Sequence, residues 1–169
     1  MSIISPTQLY DQGIITVDPG KLLILPDQQI QPSGIDLRID YFAEFAGAGE
    51  LRMDGKKNCT EQRLGLGWGE RKDYYHLKKG TPYMAYYVES CKLPQDVSGW
   101  IFGRSTLIRN GIFCMSMVYD PGYENVLACP VYPWRDFDVQ RYSRFAQFVG
   151  FKNEGKIIYK GAYSRKKAV

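Results

Sequence analysis

The apolar residues of this chain fall into short blocks cut by proline and glycine: "KLLILP", "SGIDLRID", "PYMAYYVE", "VSGWIFG", "GIFCMSMVY", "NVLACPVY", "DVQRYSRFAQFVGF" and "GKIIYKG". Blocks of this length, rich in tyrosine, phenylalanine, valine and isoleucine, suit strands, because β-branched and aromatic side chains pack well on a pleated surface. No long helical pattern lies between them. The spacing therefore predicts an all-β fold in which many short strands make a sandwich or barrel. The stretch from Ala43 to Tyr74 is glycine-rich and charged and reads as long hairpin loops.

At 169 residues the chain has the length of one domain, read as 1–169, with a mobile C-terminal tail from about residue 159. Hydrophobic residues at 44% and charged residues at 24% are globular values, and no apolar stretch nears the ~18 residues of a spanning helix. The start "MSIISPTQLYDQG" lacks the basic-then-apolar pattern of a secretory signal. These features predict a cytoplasmic protein with no membrane partner. A net charge of +4, from 22 Lys+Arg against 18 Asp+Glu, is too mild to imply nucleic acid but suits a small anionic ligand.

Cys59, Cys91, Cys114 and Cys129 contain no C-x-x-C pair, and the single histidine is His76. That spacing argues against a structural zinc site, so no protein metal-ligand set is expected and the cysteines read as reduced, buried or half-buried residues. His76, in "KDYYHLKKG", has no acidic or nucleophilic motif beside it, which argues against histidine-based catalysis.

Two short helices are predicted. "SPTQLYDQG" offers Ser5 as N-cap, Pro6 at the first helical position, Gln8 to complete a capping box and Gly13 as a stop. "RSTLIRNG" offers Ser105 or Thr106 as cap and Gly111 as terminator. The second start can also bind an anion: unpaired N–H groups, the hydroxyls of Ser105 and Thr106 and the guanidinium of Arg104 all favour phosphate. By itself this pattern is far more often a plain cap.

Three further patterns carry charge. In "VYDPGY", Pro121 stiffens the backbone after Asp120 and Gly122 gives turn freedom, so the carboxylate has a defined direction from which to take a proton from water; it is also an ordinary turn sequence. In "IQPSGIDLRID", Asp36 and Arg38 share one strand face and Ile35, Leu37 and Ile39 the other, so the charged residues are placed to pair with each other. "SRFAQFVGF" sets Arg144 and Gln147 at the entry to a buried strand.

In order, "QPSGIDLR" (31–38), "GRSTLIRNG" (103–111), "YDPGY" (119–123) and "RFAQFV" (144–149), with "SCKLPQDVSGWIFGRS" approaching the second, resemble the deoxyuridine triphosphatase and deoxycytidine triphosphate deaminase superfamily. The resemblance runs from about Ser5 to Tyr163. It implies a β-clip or distorted jelly-roll that forms homotrimers with active sites shared between subunits. It also implies a deoxynucleoside triphosphate substrate with Mg²⁺ held by the phosphates rather than by a protein cage. Arg104, Ser105, Thr106 and Gln147 would contact phosphates; Tyr123 would pack on the deoxyribose and exclude a 2′-hydroxyl, with Met117 and Tyr119 beside the sugar and base. Backbone groups of a 111–119 strand hairpin would read the base edge. Asp36, Arg38 and Arg144 would support the site, and Arg109 matches an arginine that in the deaminase branch serves a site across the subunit interface.

The branches differ at one position. Both need an aspartate to activate water, here Asp120, and a deaminase also needs a glutamate on the following strand, which falls on Pro130 in "VLACPVY". No Glu or Asp occurs from Leu127 to Trp134. Glu124, next to Tyr123, should face the other way along an extended strand. The expected activity is hydrolysis of dUTP to dUMP and pyrophosphate. A dCTP deaminase, single or bifunctional, and a silent nucleotide-binding homologue are the alternatives, because "YKGAYSRKKAV" resembles a deaminase-type ending. Within it Arg165, Lys166 and Lys167 are either a solvated tail or a cover for phosphates.

Overall fold

The computed structural model describes residues 2–17, 26–155 and 157–161. "KLLILP" lies, but for Pro26, outside them, as do Arg165, Lys166 and Lys167. Three short helices, α1 (Pro6–Asp11), α2 (Pro26–Gln29) and α3 (Ser105–Arg109), decorate a strand-dominated chain. The strands are β1 (Ile15–Val17), β2 (Ile30–Gln31), β3 (Gly34–Ala46), β4 (Glu50–Arg52), β5 (Gly55–Lys57), β6 (Thr60–Arg63), β7 (Tyr74–Leu77), β8 (Tyr83–Lys92), β9 (Val97–Gly103), β10 (Ile112–Cys114), β11 (Val118–Tyr119), β12 (Glu124–Pro133), β13 (Phe137–Gln140) and β14 (Arg144–Lys152).

The main sheet runs β10-β12-β8-β3-β14-β9-β11, antiparallel throughout. The long strand β3 makes it curl. Its first half pairs with β14, Ile35 opposite Phe148, and its second half with β8, Phe42 opposite Ala85. Register shifts between Ile39 and Tyr41, and between Arg144 and Ala146 on β14, bend the ribbon at the changeover, as bulges do. The bent sheet wraps a core in which Ile35, Leu37, Ile39 and Phe42 are fully buried, and Phe42 meets Tyr75 and Phe145 edge-on at 5.5 and 5.6 Å. Each such side chain contributes roughly 1.5–3 kcal/mol on burial.

Several local expectations change on folding. "GIFCMSMVY" is not one hairpin: β10 pairs with β12 whereas β11 pairs with β9, so residues 115–117 cross from one part of the sheet to another. "DVQRYSRFAQFVGF" breaks into β13 and β14 around Tyr142, whose φ of 67° turns the chain. "GKIIYKG" forms no strand among the described residues. The Ala43–Tyr74 stretch does form hairpins, β4 with β5 and β6 against the end of β3. Helix α1 starts at Pro6 as expected, yet Ser5 makes no side-chain cap bond, so the capping box is not what fixes it. Buried Leu9 holds it instead, lying where a Cβ on Gly150 of β14 would come within 2.7 Å.

Candidate active site

The inward and outward faces of β3 are both buried, and the polar one needs partners because a buried charge is costly unless paired. Asp36 and Arg38 do not pair with each other. Arg38 Nε donates to Glu89 Oε1 at 2.8 Å, its backbone N–H donates to Oε2 at 2.8 Å, and Gln29 Nε2 donates to the same carboxylate at 2.8 Å. Arg38 is thus a structural residue, fixed by an acid on β8 that the motif pattern does not mark. A lone glutamate ending the apolar block "PYMAYYVE" was the available signal.

Asp36 serves a different group. Its carboxylate, 1% exposed, lies 3.3 Å from Arg104 Nε, 3.4 Å from Arg144 Nη1 and 3.4 Å from Gln147 Nε2. Burial pushes the Asp36 carboxyl above its ordinary value, outweighing the two guanidiniums that pull it down. Gln147 reaches this point because Gly34 has no Cβ, which would meet Gln147 Cγ at 2.8 Å and the Phe148 carbonyl oxygen at 2.3 Å. Arg104 precedes α3 as its N-cap residue and also donates from Nη1 to the Arg144 carbonyl. Ser105 and Thr106 begin the helix without capping it, and both are exposed beside Arg104. Arg104, Ser105, Thr106, Arg144 and Gln147 therefore form one half-exposed cationic and hydroxyl-bearing surface over a buried acid. Arg109 is exposed in the last turn of the same helix.

Asp120 is elsewhere. It is exposed at the turn after β11, where Tyr123 N–H donates to its carbonyl and Gly122 takes a φ of 82°. Among the described residues its carboxylate has no hydrogen-bond or ion-pair partner. It opens into a cleft of about 1010 Å³ whose walls include Met117, Tyr119, Tyr123, Asn125 and Ala128. Tyr119 contributes its ring only: its hydroxyl is engaged by the Ala128 backbone, donating to the carbonyl and accepting from the N–H. Tyr123 stands edge-on to Tyr119 at 5.1 Å, and burial pushes its phenol up to about 12, so it is neutral at physiological pH. The chain end packs over the same turn, with Tyr159 N–H donating to the Pro121 carbonyl at 2.7 Å and the Tyr159 ring 5.4 Å from Tyr123.

The far wall was not anticipated. Tyr86 and Glu61 face the cleft, joined by a 2.5 Å bond from the Tyr86 hydroxyl, and Lys56 and Lys57 of the β4–β5 hairpin flank them. Their positions depend on β6 pairing with the end of β3, which no local pattern foretells. On β12, Pro130 follows the cleft-lining Ala128 by two residues and shares its face, while Leu127 and Cys129 point inward. No acid stands on that face after Glu124. His76 is not among the cleft-lining residues and is paired with Asp138 at 2.7 Å.

The two groups of expected site residues do not meet within one chain. Tyr119 pairs with Gly99 near the start of β9, and Arg104 follows Gly103 at its end. The intervening strand places Asp120 and Arg104 about 20 Å apart at ~3.3 Å per residue.

The sequence model of a family described as dCTP deaminase-like matches residues 6–153. A deoxyuridine 5′-triphosphate nucleotidohydrolase of Methanocaldococcus jannaschii is 29% identical over 140 residues, covering 82% of this chain and 89% of that protein. A dCTP deaminase of Actinobacillus succinogenes is 31% identical over 133 residues, covering 72% of this chain and 66% of the relative. Among solved structures, the 2′-deoxycytidine 5′-triphosphate deaminase of Agrobacterium tumefaciens superposes with a TM-score of 0.65 at 22% identity, over 88% of this chain. The present chain spans 46% of that structure, and at this identity the likeness bears on the fold.

Proposed function

The chain belongs to the dCTP deaminase-like family, and from that premise we propose that it is a dUTP diphosphatase, releasing dUMP and pyrophosphate. The observation that carries this reading is an Asp120 with no side-chain partner among the described residues, in a cleft lined by Ala128 on a strand that has proline, not an acid, two residues further on. Asp120 takes a proton from a water as that water attacks the α-phosphorus, and pyrophosphate leaves. Positioned proton transfer of this kind contributes about 10²–10⁴ in rate. Tyr123 supports the deoxyribose, and its bulk leaves no room for a 2′-hydroxyl. Tyr119 and Met117 line the base end.

Besides Lys56 and Lys57 of the cleft lining, the phosphates need the groups at positions 104–106 and 147, which Asp120's own chain holds too far away, beyond the α-to-γ span of one triphosphate. Arg104, Ser105, Thr106 and Gln147 of a second copy supply them in this reading, in a homotrimer with shared sites. Arg109, on the same helix, serves that junction. Asp36 and Arg144 hold Arg104 and Gln147 in place. In this reading Mg²⁺ would enter on the substrate phosphates and neutralise charge on the leaving pyrophosphate. Deamination would need an acid to serve the base; Ala128 and Pro130 offer none, and Glu61 across the cleft is engaged by Tyr86.

A product assay with dUTP and dCTP side by side tests the proposal. Pyrophosphate from dUTP with no uracil product from dCTP is expected. Uracil nucleotides from dCTP would establish the deaminase instead, and tight binding without product a silent homologue.

A further inference from the structure

Behind the cleft wall lies a thiol pair that the hydrolytic reading does not use. Cys114 ends β10 and Cys129 lies on β12, the strand paired with it, and their sulfur atoms are 3.0 Å apart. The Tyr87 hydroxyl sits on both, 2.9 Å from Cys129 Sγ and 3.9 Å from Cys114 Sγ. Cys129 is fully buried and Cys114 is half-buried, so a small oxidant approaches Cys114 first. Strand pairing, not chance proximity, sets the geometry: Cys114 is opposite Val131, which puts Cys129 two residues along on the same inward face. Closing the sulfurs to the ~2.05 Å of a disulfide asks for about 1 Å of approach.

We propose that Cys114 and Cys129 form a reversible dithiol–disulfide site that responds to peroxide and tethers the 115–117 crossing segment to β12. The Cys114 thiolate attacks the peroxide O–O bond, giving a sulfenic acid and hydroxide, which takes up the proton released when the Cys114 thiol ionised and becomes the first water. The Cys129 thiol then attacks the sulfenic sulfur; an S–S bond forms, and the departing hydroxide takes the Cys129 proton as water. Two thiols and one peroxide thus yield one disulfide and two waters, and a dithiol reductant reverses the change. The protonation of the pair matches this division of roles. Hydrogen bonds from Cys129 and Tyr87 lower the Cys114 thiol, whereas burial raises that of Cys129 well above the ordinary range. A lowered, half-buried thiol beside a fully buried resolving thiol shares the division of roles of peroxide-sensing cysteines.

The location gives the bond a consequence. Gly103, just before Arg104, lacks the Cβ that would meet Cys114 Cβ at 2.8 Å, so Cys114 lies against the end of β9. Ala128, next to Cys129, lines the cleft, as do Met117 of the crossing segment and Val118 at the start of β11. A tether between the sulfurs therefore stiffens the segment between the two halves of the candidate site.

The test is peptide mapping of the intact protein after hydrogen peroxide, with free thiols counted under denaturing conditions. The thiol count should fall from four to two, with a cross-linked peptide joining Cys114 to Cys129 and recovery under dithiothreitol. Amide exchange at 115–117 should slow in the oxidised protein. Tyr87→Phe should slow cross-linking roughly threefold to tenfold, the worth of one weak hydrogen bond such as the 3.9 Å contact to Cys114. Oxidation confined to Cys114 as sulfinic acid, or a cross-link through Cys59 or Cys91, would overturn the proposal. So would a Cys114–Cys129 cross-link that leaves exchange at 115–117 unchanged.

Discussion

The polar face of β3 and the cleft around Asp120 use the same residue types to opposite ends. Along β3, Asp36, Arg38 and Asp40 are each nearly out of solvent and each held by fixed partners, Arg104 and Arg144, Glu89, and Arg141. In the cleft, Asp120 is exposed, stiffened by its backbone and has no side-chain partner among the described residues. A charge committed to neighbours stabilises one geometry; an uncommitted one is available to a substrate. Substitutions should therefore cost stability in the first region and rate in the second.

The largest effect should come from Asp120→Asn, with dUTP turnover falling about 10²–10⁴-fold while stability to urea stays within about 0.5 kcal/mol of the parent. A large loss of stability would erase the contrast. Glu89→Ala should do the reverse. Removing one partner of a buried ion pair costs about 3–5 kcal/mol, because Arg38 is left charged and buried, and urea unfolding measures it directly. Arg38 Nη2 has no hydrogen-bond partner among the described residues, which leaves the guanidinium more dependent on Glu89.

Arg104→Ala falls between these two. It should raise the KM for dUTP by one to two orders of magnitude, since each charge-assisted bond to phosphate is worth about 1.5–3 kcal/mol, and leave kcat less affected. A change in kcat alone would place Arg104 outside the phosphate contacts. The smallest effect concerns pH. Burial raises the Asp36 carboxyl in the folded state, so between the ordinary carboxylate range and the raised value the native protein binds more protons than the unfolded chain. Stability should fall as pH rises through that window, and the fall should vanish in Asp36→Asn. An opposite slope would mean that Arg104 and Arg144 outweigh burial.

Much of this was legible in the sequence because it is local. Strand blocks, the two short helices and the stiff turn at Asp120 each depend on neighbouring residues. Partners across the sheet were not legible. Asp36 and Arg38, two apart on one face, invite a mutual pair, yet the bulges that bend β3 and β14 deliver Arg104 to one and Glu89 to the other. "GIFCMSMVY" looks like one strand because its apolar run is continuous, and only the competing edges of β12 and β9 divide it. Tyr86 and Glu61 escaped notice for the same reason: they meet through pairing of β3 with β6 and β8.

Because Asp120 and Arg104 stand at opposite ends of β9, a site that needs both must draw them from two copies of the chain. Co-assembling Asp120→Asn chains with Arg104→Ala chains tests this most directly, since each copy is defective in a different half. A shared site predicts that the mixture regains roughly a quarter of the parent's dUTP turnover, as random trimers place an intact Asp120 opposite an intact Arg104 that often. A mixture no more active than its separate components would contradict it.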